Sequence, residues 1–176
     1  MYPFVRMAHA MVKFRKAPPL RITGTHVSQH ICWPWDLDLW SELNNGRTLT
    51  LYDLGRIPLA MRTGLIGVLR ANRWGITVAG SSVRYRRRVR MMERFEMRSR
   101  CLGWDARFLY MDQSMWRNGE CTSQVLIRSA FTGREGIVAP AAVLAAMGSQ
   151  EVSPALPGWV QAWIAADAER PWPPQS

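Results

Sequence analysis

The chain has 176 residues, 48% of them hydrophobic, and a formal net charge of +10. That length suits one domain with a sizeable core, and the apolar fraction excludes a disordered chain. No apolar run reaches the roughly 18 residues of a spanning helix, and Lys13, Arg15 and Lys16 interrupt any signal-peptide core, so neither feature is expected.

Of the 23 basic residues only Lys13 and Lys16 are lysines. Arginine suits planar, bidentate contact with phosphate or carboxylate, although genomic base composition is a plainer source of the bias. On charge alone, nucleic acid, an anionic membrane and a phosphorylated ligand such as coenzyme A all remain open. Cys32, Cys101 and Cys121 are scattered and odd in number. They give no metal spacing and no disulfide framework, which predicts reduced thiols in a cytoplasmic protein.

Residues 4–16 read as an amphipathic helix. Phe4, Met7, Met11 and Phe14 fall on one side, and Arg6, His9, Lys13 and Lys16 on the other. It packs on its own domain or a dimer partner, or makes a peripheral membrane contact. Residues 25–35 alternate as a strand. A helix follows from Arg47 to about Leu54, interrupted by Gly55 and Pro58, and helical character resumes from Met61 until near Asn72. The period then falls to two. Strands are predicted around 76–78 and 83–90, over 94–102, 108–116 and 121–131. A turn is expected at 103–105, a hairpin at Asn118–Gly119 and a loop at 132–136. Short helices are expected over 140–147 and 156–170, then a loose Pro-rich tail. The order predicts an α+β fold with a helix on one face of a curled antiparallel sheet.

Between the first strand and the first long helix lies WDLDLWSELNNGR, residues 35–47. On extended backbone Asp36 and Asp38 share one face. Asp38, Glu42 and Asn44 are suitable helix caps or dipole partners, and this reading explains much of the stretch. The other reading is chemical. A helix N-terminus offers free N–H groups to a developing oxyanion, and a nearby carboxylate activates water or attacks. Arg84, Arg86, Arg88 and Arg90 share one strand face, either solvated or facing phosphates, while Arg87 breaks the apolar face and needs an acid such as Asp36, Asp38 or Asp53. Asp53 reads as structural, paired with Arg56 or Arg47. His26 and His30 read as surface histidines without a third metal ligand. No G-x-S-x-G elbow, P-loop, zinc-finger or helix-turn-helix pattern appears.

The run Asp36-Leu-Asp38-Leu-Trp-Ser-Glu42-Leu-Asn44-Asn45-Gly46-Arg47 through Asp53-Leu-Gly-Arg56 resembles the hotdog-fold thioesterases of the 4-hydroxybenzoyl-CoA thioesterase type, and more closely their bacterial acyl-CoA thioesterase-like branch. GSSVRYRRRV (80–89), ERFEMRSR (93–100) and LGWDARFLY (102–110) are similar to that branch too. The resemblance covers about residues 25–148, flanked by an N-terminal helix and linker (1–24) and a C-terminal helix and tail (149–176). It implies a hotdog fold, a curled antiparallel sheet wrapped around a long central helix near 45–55. It further implies a homodimer, with a tetramer left open, whose sites are built from both chains, and hydrolysis of acyl-CoA without a cofactor beyond the substrate's coenzyme A. Carried over by position, Asp38 is base or nucleophile, Glu42 a second base or water-orienting group, and Asn44, Asn45 and Gly46 the oxyanion end of the helix. Asp36, Arg84, Arg86, Arg87 and Arg88 become substrate-binding residues. Glu42 and Thr48 stand where the family commonly has His and Tyr. A hotdog dimer that binds acyl-CoA without hydrolysing it is therefore the alternative, ahead of a basic module for nucleic acid or membrane.

Overall fold

Alternation builds the sheet. In Arg94–Trp104 every second residue is buried, while the two strands that follow carry longer buried runs, as strands covered on both faces do. Asn118 (φ 50°) and Gly119 (φ 80°) form the two-residue turn that matches strand twist. The turn before it is tied by Asp105, whose Oδ1 accepts the Arg107 and Phe108 N–H groups at 2.7 Å each.

The structure is a computed structural model describing residues 2–174. In chain order it contains α1 (Phe4–Phe14), β1 (Thr25–Ile31), a 3-10 turn (Pro34–Asp36), α2 (Asn45–Arg62), α3 (Leu65–Asn72), β2 (Gly75–Tyr85), β3 (Arg94–Trp104), β4 (Phe108–Arg117), β5 (Glu120–Gly133), β6 (Gly136–Val138), α4 (Pro140–Ala146) and α5 (Gly158–Glu169). The antiparallel sheet runs β1-β3-β4-β5-β2, with the short β6 also on β5. It curls around α2 in the α+β hotdog architecture.

The central helix does not stop at Leu54. It runs through Gly55 and Pro58 to Arg62 and buries Leu51, Tyr52, Leu54, Pro58 and Leu59. Gly55 is the point of closest approach to the sheet. A Cβ there would lie 2.6 Å from Met97 Sδ and even nearer Ser99 Oγ. Pro58 lacks the N–H that Leu54 C=O would accept, but packing of its buried ring outweighs the local break. The core beneath α2 is Phe95, Met97, Met115, Val125 and Phe131.

The first strand also differs from expectation. It ends at Ile31, and Pro34 opens a 3-10 turn, so Asp36 and Asp38 do not share a strand face. The arginine-rich strand ends at Tyr85, which stops the alternation before Arg86. Helix α1 is rotated from the predicted orientation. Met7 and Ala10 are its buried residues, Phe4 and Met11 face out, and Arg6 turns inward. On the other face of the sheet α5 closes a second cluster around Tyr110, Leu126 and Val160. Arg128 lies between the rings of Phe108 and Trp163, at 4.9 and 5.0 Å, and pairs with Asp167 at 2.6 Å.

Candidate active site

Asp36 is fully buried at the end of the 3-10 turn. Its Oδ2 accepts Arg6 Nη1 at 2.6 Å and the Trp33 N–H at 3.1 Å, and its Oδ1 accepts Arg47 Nε at 2.6 Å. Arg6 also reaches Ile31 C=O at 3.0 Å. One carboxylate thus ties α1, the end of β1 and the first turn of α2. Both its oxygens are engaged within the protein.

After the knot the chain forms a tight loop. The Asp38 N–H donates to Glu42 C=O at 2.8 Å, and Leu37 pairs with Leu43 across the loop. Asp38 Oδ1 accepts the Trp40 N–H at 2.9 Å and the Glu42 N–H at 3.4 Å. Ser41 takes a positive φ of 58° to complete the turn. Asp38 therefore shapes the loop, and Glu42 leaves it pointing along the flank of α2.

Asn44 caps α2, with its Oδ1 accepting the Arg47 N–H at 3.0 Å. Thr48 N–H bonds Asn44 C=O at 2.8 Å, and Thr48 Oγ1 donates to the same carbonyl at 3.0 Å. Among the described residues nothing accepts the N–H groups of Asn45 and Gly46. These two donors remain for a ligand. Among the described residues outside the helix's own backbone, a Cβ at Gly46 would meet only Asn44 Oδ1 within 4 Å, at 3.4 Å, so the approach is open.

A polar hollow of about 180 Å³ lies beside this helix end, lined by Glu42, Asn45, Thr48, Tyr85, Arg86–Arg88 and Ser123. Tyr85 Oη donates to Asn45 C=O at 3.0 Å, fixing the edge of β2 to the helix. Beyond Tyr85, Arg86 and Arg87 both direct their N–H groups at Thr122 C=O, so consecutive arginines line one hollow. Arg84, still in the strand, lies outside it. Arg88 Nε stands 2.8 Å from Glu42 Oε2 as an ion pair, off-line for a hydrogen bond. Arg87 is exposed and pairs with Glu120 at 2.5 Å, which corrects its expected inward position beside Asp36, Asp38 or Asp53. Asp53 pairs with Arg56, as one of the two expected partners.

A second, apolar cavity of about 220 Å³ lies along the C-terminal half of α2. Ile57, Ala60, Leu65, Ile76, Leu109 and Met111 line it, with Asp53 and Arg56 at its polar end. Helical rise puts residue 57 about 18 Å from residue 45, so cavity and hollow are separate within one chain.

Tyr85, Thr122 and Ser123 escaped the sequence reading as site residues, and so did the pairing of Arg6 and Arg47 with Asp36. Tyr85 pairs in register with Ser123, and only that pairing, absent from either local pattern, brings them to α2. The histidines are also corrected. His26 is buried against Phe14, its Nδ1 accepts Arg62 Nη1 at 3.1 Å, and burial first, then the Arg62 charge, lowers its pKa to about 4. His30 is brought to about 3 by burial and then by the Arg6, His26 and Lys13 charges. Burial pushes the Cys32 thiol up to about 11 and Cys101 to about 12, which suits inert thiols.

The family model described as the thioesterase-like superfamily matches residues 32–164. The chain is 30% identical to Protein THEM6 of Xenopus laevis over 165 residues, covering 92% of this chain and 78% of that protein. It is similar in fold to the YbaW probable thioesterase of Escherichia coli, with a TM-score of 0.66 and 17% identity over 72% of this chain and 98% of the other. It is also similar to the DHNA-CoA thioesterase of Staphylococcus aureus, with a TM-score of 0.60 and 10% identity over 82% and 91% of the two chains.

Proposed function

Because the chain belongs to the thioesterase-like superfamily, we propose that it hydrolyses an acyl-CoA thioester to a carboxylic acid and free coenzyme A. The observation that carries this reading is the hollow itself. It brings a carboxylate, Asn45 at the start of the helix and a group of arginines to one place, with Gly46 the next residue along the helix. In this scheme Glu42 takes a proton from water, and the resulting hydroxide adds to the thioester carbonyl. The Gly46 and Asn45 N–H groups hold the oxyanion. Collapse of the adduct breaks the C–S bond and releases coenzyme A, whose thiolate takes up a proton. Asp38 holds the loop that aims Glu42. Arg86, Arg87 and Arg88 hold coenzyme A phosphates. No cofactor is required. The quoted D-x-D to N-N-G-R run favours the 4-hydroxybenzoyl-CoA thioesterase type and its bacterial branch, and the reduced thiols suit the cytoplasm.

The functional unit in this proposal is a homodimer joined at β2. This 11-residue strand is an open edge that exposes Ile76, Val78 and Tyr85. Such an edge is a template for pairing. Antiparallel pairing about a two-fold axis sets the Tyr85 end of one strand beside the Ile76 end of the other. The polar hollow of one chain then adjoins the apolar cavity of its partner, joining a coenzyme A site to an acyl site.

The test is thiol release from short-chain, long-chain and aromatic acyl-CoAs by wild type, Glu42→Gln and Asp38→Asn. Turnover that disappears in Glu42→Gln, with the fold intact, supports Glu42 as the base. Turnover that disappears only in Asp38→Asn transfers the role to Asp38. Absence of hydrolysis from every acyl-CoA overturns the enzyme reading. The ion pair between Arg88 and Glu42 specifically favours the second reading, a dimer that binds acyl-CoA without turnover. Saturable binding without thiol release would establish it.

A further inference from the structure

The surface around the 38–42 loop is unusual for a soluble face. Leu39 is 94% exposed and Trp40 77% exposed, at the tip of the loop closed by the Leu37–Leu43 bridge. Neighbouring segments extend the patch. Trp33 and Trp35 stack with ring centroids 5.4 Å apart. The Met92 N–H bonds Cys32 C=O at 2.7 Å, and Glu42 bridges Arg90, which brings exposed Met91 and Met92 alongside the loop. The first turn of α1 adds exposed Val5, which shares a groove with Trp33.

The rim of the patch is basic. Arg87, Arg88 and Arg117 are paired with Glu120, Glu42 and Glu93. Exposed Arg86, Arg90 and Arg94 have no carboxylate within salt-bridge distance among the described residues. An apolar tip beside a rim that holds three unpaired arginines matches a surface with anionic headgroups above a hydrocarbon layer. Tryptophan favours that boundary, since its ring is apolar and its N–H is polar. The shape favours the same occupant. Leu39 and Trp40 protrude, whereas a folded acidic partner would be met by a groove or a flat apolar face. The tryptophans Trp33 and Trp35 follow directly on β1, at the opposite sheet edge from β2, whereas Arg86–Arg88 follow β2 itself.

We propose that this patch docks the protein onto an anionic lipid surface, with the 38–42 loop inserted at the headgroup boundary. This is a different contact from the one expected of α1, whose Met7 and Ala10 are taken up by packing. It also puts the polar hollow at the lipid boundary, because Glu42 belongs both to the loop and to the hollow.

The test is vesicle flotation of the full chain with phosphatidylcholine alone and with phosphatidylcholine containing phosphatidylglycerol. Wild type is compared with a Leu39→Ser/Trp40→Ser double variant. Neither side chain takes part in the proposed chemistry, and both are largely free of protein contacts. Wild type should float with the anionic vesicles and far less with the neutral ones. The double variant should lose binding by about tenfold or more, the scale of burying two large apolar side chains, while keeping its circular dichroism and melting temperature. Equal flotation of variant and wild type would reduce the effect to charge alone and overturn the insertion. Failure of wild type to float would overturn the docking. A change in oligomeric state of the double variant, read by light scattering, would assign the patch to a second copy of the chain instead.

Discussion

Asp36 and Glu42 flank the first turn of α2, six residues apart, in opposite surroundings. Asp36 is sealed, and two arginines and a backbone N–H meet its oxygens at 2.6, 2.6 and 3.1 Å. Glu42 opens onto a hollow with a single off-line ion pair. Each acid is surrounded by arginine, so proximity to cations does not separate a structural carboxylate from a reactive one. Saturation does. A buried acid whose two oxygens are both engaged by its own protein has little to offer a substrate, whereas a half-satisfied acid beside free N–H donors has both room and reason to bind one.

That contrast predicts opposite phenotypes. Glu42→Gln should reduce acyl-CoA turnover by about 10²–10⁴-fold, the range for losing a general base, with the melting temperature nearly unchanged. A large stability loss would break the contrast, because Glu42 would then be structural as well. Asp36→Ala should do the reverse. It strands Arg6 and Arg47 and should lower stability by about 3–5 kcal/mol, measured by chemical denaturation, while the molecules that remain folded keep turning over. Asp38→Asn lies between the two. The amide oxygen still accepts the Trp40 and Glu42 N–H groups, so turnover should fall by less than about tenfold. A greater fall with the loop intact would move the chemistry from Glu42 to Asp38.

The histidine beneath α1 sharpens the comparison through pH. His26 titrates at about 4 in the fold and near its ordinary 6.5 when unfolded. Between those values the unfolded chain binds the extra proton, so stability falls as pH drops from about 6.5 towards 4. The loss should be of the order of 1–3 kcal/mol and should shrink in His26→Gln. The smallest effect is expected at Arg88→Gln. Its exposed ion pair contributes at most about 1 kcal/mol to stability, so the variant should melt like wild type and differ only in KM for acyl-CoA.

The sheet was legible because its signals are local. Strand alternation and Asn118–Gly119 need no knowledge of distant residues. The identity of the helix cap was legible for the same reason, since Asn44 bonds Arg47 three residues on. The interior of the site was not. Whether Asp36 is exposed depends on Arg6, 30 residues away, and on a 3-10 turn that Pro34 starts. The arginines were read on a strand that ends one residue before the first of the three that line the hollow. Gly55 and Pro58 predicted a broken helix because both disfavour one locally. They are accommodated because the sheet needs a close approach at Gly55 and covers Pro58.

This last feature bears on the order in which the molecule assembles. With two glycines, a proline and two threonines in its 18 residues, α2 has little tendency to be helical by itself. The β3–β4 and β4–β5 hairpins have short connections and need no other element to begin pairing. The helix therefore gains its shape from a sheet that is already curling. Its open N–H groups come into being only at that step. The end of α2 that would hold an oxyanion is thus expected to depend on the sheet for its shape, and a peptide spanning residues 44–64 alone should be a coil, which circular dichroism would check.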